Sequence, residues 1–173
     1  MQKNELRKII KIERQNLYKT NDLCALSKKI TENILNSDIF KSAHHIALYY
    51  PLKYEIDITG LFCDTSKEFY LPRCINNEIE FAKYNSGLKN GAYSISEPVG
   101  DRINPEILDV IYTPALCCNG KCFRLGYGKG FYDRFFNKYN LKAKKIIVSP
   151  KCFITNDFVE DEFDFKCDEI ISD

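Results

Sequence analysis

Gly120-Lys-Cys-Phe-Arg-Leu-Gly-Tyr-Gly-Lys-Gly-Phe-Tyr-Asp-Arg-Phe-Phe136 holds three glycines, Gly126, Gly128 and Gly130, that alternate within five residues. Lys121, Arg124, Lys129 and Arg134, followed by Lys138, surround them with positive charge, and Asp133 is the single acid of the stretch. From Lys129 onward, Phe131, Tyr132, Phe135, Phe136 and Tyr139 recur at helical spacing and mark one buried face. Just upstream, Asp109-Val-Ile-Tyr-Thr-Pro114 reads as a short buried strand stopped by a proline. The order is strand, glycine loop, helix.

That order suits an anion. Glycine lets the backbone approach closely and adopt positive φ, so successive N–H groups can point at one ligand. A helix N-terminus adds partial positive charge, and the lysines and arginines add whole charges. The dinucleotide fingerprint is excluded, because the third glycine follows the second by two positions instead of three. A Walker A loop is excluded too, since no Gly-Lys-Ser/Thr occurs. Spacing alone leaves two readings open: a phosphate cradle, or a glycine-rich turn with solvated lysines.

At 173 residues the chain has the length of one domain with a sizeable core. Its 25 basic and 24 acidic side chains leave a net charge of +1, which argues against a general nucleic-acid binder. No apolar run approaches the roughly 18–20 residues of a membrane span, and the N-terminus reads as a charged helix instead of a signal peptide. A cytoplasmic protein is expected. The eight cysteines, Cys24, Cys63, Cys74, Cys117, Cys118, Cys122, Cys152 and Cys167, contain no Cys-x-x-Cys pair, and the only histidines are His44 and His45. Most are expected to be reduced core residues, with a metal or a catalytic thiol at 117–122 as the lesser alternative.

Residues 3–19 predict an amphipathic helix with Leu6, Ile9, Ile10 and Leu17 on its apolar side. Lys3, Arg7, Lys11 and Arg14 share another face, either as a wet surface or aimed at a neighbouring anion site. A second helix is expected over 23–36, opened by Asn21-Asp22. His45 to Tyr50 predicts the first strand, ending at Pro51, with Tyr49, Tyr50 and Glu55 near its carboxyl end, where ligands of open α/β sheets sit. A short helix from Asp57 to Phe62, a strand over 68–71 followed by Pro72-Arg73, and a half-exposed strand over 78–84 come next. Residues 85–106 read as a long surface connection. Lys145 to Ser149 predicts another buried strand, and Glu169 to Ile171 a closing one within an acidic tail that reads as solvated surface. Strands alternating with helices predict a three-layer α/β/α arrangement with a mostly parallel sheet.

Arg124-Leu-Gly-Tyr-Gly-Lys-Gly-Phe-Tyr-Asp-Arg134 resembles the Arg-Leu-Gly-x-Gly-x-Gly-Tyr/Phe-Tyr-Asp signature of the 5-formyltetrahydrofolate cyclo-ligases, also called methenyltetrahydrofolate synthetases. Supporting matches run along the chain: Lys3-x-x-Leu6-Arg7, Tyr50-Pro-x-x-x-Glu55, Leu71-Pro-Arg73, Tyr112-Thr-Pro114 and Asp168-Glu169. The chain departs from the family where Asn119 replaces an Asp and Cys122 a Gly; Asn119-Gly120 is expected to supply a tight turn slightly earlier.

The resemblance implies a single Rossmann-like α/β domain over 1–173 and a Mg- and ATP-dependent reaction. In it, 5-formyltetrahydrofolate becomes 5,10-methenyltetrahydrofolate, with ADP and phosphate released. The γ-phosphoryl group activates the formyl oxygen, and the folate's own anilino nitrogen closes the ring. Phosphoryl transfer asks mainly for positioning and charge. The resemblance assigns Arg124, Leu125, Gly126, Tyr127, Gly128, Lys129, Gly130, Phe131 and Tyr132 to ATP, with Lys3 and Arg7 closing over the phosphates. It assigns Arg124, Lys129 and Tyr132 to catalysis. Tyr50, Glu55 and Phe131 are assigned to the folate, and Asp133 and Asp168 to Mg²⁺. The bland reading of Asp133 is an acid complementing the helix dipole. The implied partners are small molecules, with no nucleic acid or membrane, and the implied state is a monomer or weak homodimer. Two other classes stay open: a different ATP-dependent kinase or ligase, and a non-catalytic nucleotide or folate binder.

Overall fold

The computed structural model describes residues 1–91 and 95–173. Among the described residues, ten strands and four α-helices follow one another, with short 3₁₀ turns between them. Helices α1 (Lys3–Lys19), α2 (Asp22–Asn36) and α3 (Asp38–Ser42) come first. Strands β1 (His45–Ala47), β2 (Glu68–Ile75) and β3 (Glu78–Lys83) follow, then a small hairpin, β4 (Leu88–Asn90) and β5 (Ser96–Pro98). Next come β6 (Val110–Pro114), a second hairpin of β7 (Cys117–Cys118) and β8 (Arg124–Leu125), α4 (Phe131–Lys138), β9 (Lys144–Val148) and β10 (Glu169–Ile171).

Six strands form one sheet in the order β10-β9-β6-β1-β2-β3, all parallel except β3, which returns antiparallel beside β2. Counting only these six, the order is that of a doubly wound nucleotide-binding sheet, 3-2-1-4-5-6, so the expected mostly parallel α/β/α sandwich is the fold observed. Each inner strand is apolar on both sides because both are covered. Ile46, Leu48, Val110, Tyr112, Ile146 and Val148 face α2 and α3, which contribute Ile30, Ile34 and Phe40. Ala47, Ile111 and Ile147 face the other way, toward Phe135 and Phe136 of α4. Ile30 and Ile34 are fully buried, and truncating either to Ala would cost about 2–5 kcal/mol.

Helix α1 packs its Leu6 and Ile10 on Leu116 and Leu125, at the base of and within the hairpin that follows β6, and on Phe153 and Phe158 after β9, and this places it at one end of the sheet. Among the expected apolar residues Ile9 stays 41% exposed, whereas Arg14 of the basic stripe is buried. Its guanidinium donates to the carbonyls of Leu116, Ala115 and Tyr54 at 2.6–3.0 Å, which satisfies the charge inside.

Boundaries moved where proline was read as a stop. β2 continues through Pro72 to Ile75, because by then it has outrun β1 and the missing N–H deprives no neighbour. In β1 the paired register ends at Ala47, although the Leu48 N–H still reaches the Tyr70 carbonyl at 2.9 Å. The expected surface connection over 85–106 carries the β4–β5 hairpin and a buried Glu97; its residues 92–94 lie outside those described. All eight cysteines are free, but Cys24, Cys63 and Cys152 are exposed, so fewer are core residues than expected. No helix among the described residues is long and apolar enough to cross a membrane.

Candidate active site

Strands β1 and β6 lie side by side, while the strands following each spread to opposite edges of the sheet. Ligands of open α/β sheets bind beyond the carboxyl ends of the strands at that reversal. A cavity of about 890 Å³ opens there, reached by Tyr49 and Tyr50 just past β1 and by Pro114 at the end of β6. Gln2, Lys3, Asn4 and Arg7 of the α1 end form one wall, the glycine loop 124–130 and the start of α4 another. Pro72, Cys74, Ile79, Ile95 and Glu97 close a third side, and Asp161, Phe163 and Asp164 a fourth.

The glycine loop runs from β8 into α4, so a β-hairpin stands between the upstream strand β6 and the loop. Gly128 and Gly130 adopt φ of +93° and +63°, a region that strains other residues, and Gly130 is the N-cap of α4. Among the described residues no side chain caps that helix end, which points at the cavity with the partial positive charge of a helix N-terminus. Gly126 serves differently: a Cβ there would come within 3.2 Å of Arg124 Nη1. The loop is tied down by Arg7, whose Nε donates to the Gly126 carbonyl at 2.9 Å, and by Lys11, which stands over the Tyr127 ring. Arg7 and Lys11 of the basic stripe therefore face the loop.

The expected Asn119-Gly120 tight turn forms, with the Cys122 N–H donating to the Asn119 carbonyl at 3.1 Å. Asn119 Oδ1 accepts the N–H groups of Lys121 and Phe123, and the left-handed residue is Cys122, at φ +67°.

Arg124 is buried, 6% exposed, with its guanidinium over the Tyr132 ring. Nη2 lies 2.9 Å from Asp133 Oδ1, but neither Nη2 nor Nε completes a hydrogen bond among the described residues. The Tyr132 hydroxyl is likewise buried without a partner, and burial pushes its phenol well up, with Arg124 opposing. Unmet donors on a buried cation that lines a cavity call for an acceptor from outside. Lys129 lines the same cavity. Arg134 does too, but its Nη atoms are committed to the carbonyls of Lys129 and Asn77 at 2.6 Å.

Lys3 does not close on the glycine loop as expected. Its ammonium is held by Asp161 at 2.6 Å and by Asp164. Burial works against that charge, but the two carboxylates hold Lys3 above the ordinary lysine value. The acidic segment read as solvated surface thus supplies a wall of the site.

Glu55 is 7% exposed and its Oε2 accepts the Leu52 N–H at 2.9 Å. Burial raises its carboxyl above the usual range, opposed by that N–H and by Arg14. Tyr50 and Phe131 line the cavity with it. Of the two proposed metal ligands, only Asp133 lines the cavity. Asp168 accepts the Lys145 N–H at 2.7 Å where β10 begins, outside the lining. No group of three or more His, Cys, Asp or Glu gathers around a common point among the described residues. That suits an ion carried mainly by phosphate and water, as Mg²⁺ is, and not one held in an all-protein cage.

The sequence reading missed Glu97, Cys74, Asp161 and Asp164. None stands in a spacing pattern with the glycine loop, and only the fold brings them to it. Cys117 and Cys118 are buried, and burial pushes their thiols up to about 12 and about 11, which leaves no reactive thiolate there. Arg73 is spent on Glu80 and on the Gly100 carbonyl.

The model of the 5-formyltetrahydrofolate cyclo-ligase family matches residues 1–173. A Mycoplasma genitalium 5-formyltetrahydrofolate cyclo-ligase is 29% identical over 172 residues, 98% of this chain and 96% of that protein. The solved Aquifex aeolicus 5,10-methenyltetrahydrofolate synthetase superposes with a TM-score of 0.86 at 36% identity, covering 99% of this chain and 89% of that one. The Mycoplasma pneumoniae 5,10-methenyltetrahydrofolate synthetase gives 0.82 at 27% identity, covering 99% of both chains. A glycine loop at the reversal of a doubly wound sheet, and likeness over nearly the whole length, lead to one assignment: the chain belongs to the 5-formyltetrahydrofolate cyclo-ligase family.

Proposed function

We propose that the chain is a single catalytic domain that converts 5-formyltetrahydrofolate to 5,10-methenyltetrahydrofolate, with MgATP as phosphoryl donor and ADP and phosphate as the other products. The observation that carries this reading is the buried Arg124 guanidinium, with donors unmet among the described residues, in one cavity with the N-terminus of α4 and with Glu55.

In this reading the amides of Gly126 to Gly130 and the cations Arg124 and Lys129 bind the triphosphate and stabilise the charge that shifts during transfer. Arg7 holds the loop in shape from behind through the Gly126 carbonyl. Bound ATP supplies the group that makes a formyl oxygen leave. Glu55 accepts the paired N–H donors of the aminopyrimidinone edge, Tyr50 and Phe131 flank the ring, and Tyr132 offers its unpartnered hydroxyl to the reacting groups. Asp133 contributes a carboxylate to the magnesium, and Asp168, tied to the Lys145 N–H outside the cavity, has no part in holding it. Holding the anilino nitrogen against the activated carbon makes ring closure intramolecular, an advantage of up to roughly 7–11 kcal/mol in favourable cases.

The test mixes protein, MgATP and 5-formyltetrahydrofolate and follows the methenyl chromophore together with ADP. Equal formation of both is expected. ADP without the chromophore would assign the cradle to a different kinase or ligase, and neither product would leave a binding protein.

A further inference from the structure

Five acidic side chains line the cavity, and four are accounted for. Asp133 lies against Arg124, Asp161 and Asp164 hold Lys3, and Glu55 sits in the field of Arg14 as the pterin anchor. Glu97 is the fifth. It is 5% exposed, yet makes no ion pair among the described residues. Its Oε1 accepts the Cys74 N–H at 3.0 Å, a donor left open where β2 has outrun β1. Its Oε2 has no hydrogen-bond partner among the described residues. The side chain is also held in place, since a Cβ on Gly91 would fall 2.0 Å from its Cδ.

A buried carboxylate without a cation is costly unless something else brings it a donor or a positive charge. Anchoring the hairpin explains one oxygen and not the charge, because a glutamine would accept the Cys74 N–H equally well. The reaction proposed above has an unmet need of matching kind: the attacking anilino nitrogen carries a hydrogen that must leave.

We infer that Glu97 is the second carboxylate of the substrate subsite, accepting the anilino N–H and taking its proton during ring closure. This rests on the cyclo-ligase reading. The nitrogen lone pair forms the new C–N bond, giving an adduct with a protonated nitrogen. That proton passes to Glu97, and the electron pair so released expels phosphate, which keeps the C–O bonding pair. The product's single positive charge, shared by two nitrogens, then lies beside a carboxyl group that returns its proton to solvent.

The test is Glu97→Gln, with Glu97→Asp as a second variant that keeps the charge. In Glu97→Gln, kcat should fall roughly a hundredfold or more while the KM for folate changes little, and Glu97→Asp should recover part of the loss. Calorimetry without nucleotide gives an independent readout. The glutamine variant should bind 5-formyltetrahydrofolate, whose ring system is uncharged, within about threefold of native, but the methenyl product, whose ring system carries one positive charge, at least about tenfold more weakly. Equal losses for both ligands, or native turnover, would overturn the role of Glu97 and leave the cyclo-ligase reading standing. Failure of the native protein to take up either folate would overturn that reading, and this inference with it.

Discussion

Arg124 and Asp133 meet at 2.9 Å, yet among the described residues two nitrogens of the guanidinium complete no hydrogen bond. The pair neutralises a buried charge without exhausting its donors, so Arg124 is already desolvated and oriented before a ligand arrives. Preorganised donors of this kind contribute most where charge develops during reaction.

Arg124→Ala should therefore lower turnover on the order of a hundredfold or more, and Lys129→Ala similarly, as loss of one preorganised donor does. Arg124→Lys should rescue little, because a point charge does not replace a planar fork. Steady-state kinetics on variants with native circular dichroism checks this, and near-native turnover in both alanine variants would remove these cations from the phosphate site.

Glu55 stands in tension between function and stability. Its carboxyl is raised in the folded state, mainly by burial, so the native protein holds that proton more tightly than the unfolded chain does and loses stability as pH rises above the ordinary value of about 4.5. Glu55→Gln should raise stability at neutral pH by roughly 0.5–2 kcal/mol while raising the KM for folate far more than that for ATP. Urea unfolding at pH 7 and paired substrate titrations measure both; a less stable variant, or a selective loss of ATP affinity, would contradict the assignment.

Backbone shape separates two glycines of the same stretch. Gly130→Ala should cost about 1–2 kcal/mol, since the left-handed φ penalises any Cβ and this one would sit 3.0 Å from Arg134 Nη1. Gly120→Ala meets nothing within 4 Å and has no such φ, so its midpoint in urea should stay close to native. Matching midpoints for the two variants would refute the loop geometry.

Three buried thiols share the alkaline limit with Tyr49, Tyr112, Tyr127 and Tyr132, whose phenols burial also raises. Burial lifts Cys117 and Cys167 to about 12 and Cys118 to about 11, against an ordinary 9.0. The unfolded chain ionises first, so the stability these groups contribute is fully present below pH 9 and drains away between pH 9 and about 12. Replacing all three with alanine should flatten that part of a stability–pH profile measured by urea unfolding, and an unchanged slope would show that other groups set it.

Much of this arrangement was legible in the sequence because it rests on local pattern. The glycine loop, the aromatic face of α4 and the apolar runs of β6 and β9 each declare themselves within a dozen residues, and strand–helix alternation gives the sheet. What escaped depends on chain segments far apart. Lys3 was expected on the phosphates, but its partners Asp161 and Asp164 lie about 160 residues away. Glu97 sat in a stretch rich in glycine and proline that gave no sign of packing against β2. Pro72 misled as a terminator because its tolerance depends on where the neighbouring strand stops, which no local window records.

The cavity is assembled from Gln2 and Lys3 at one end of the chain, Asp161 and Asp164 near the other, and the centre of the sheet between them. Occupancy and global unfolding are therefore one linked equilibrium: no fragment offers the full set of contacts, and a seated molecule holds opposite ends of the polypeptide together. At a hundredfold excess over its dissociation constant, such a molecule adds about 2.7 kcal/mol to the whole fold. A simple melting curve thus becomes a binding assay that needs neither label nor turnover.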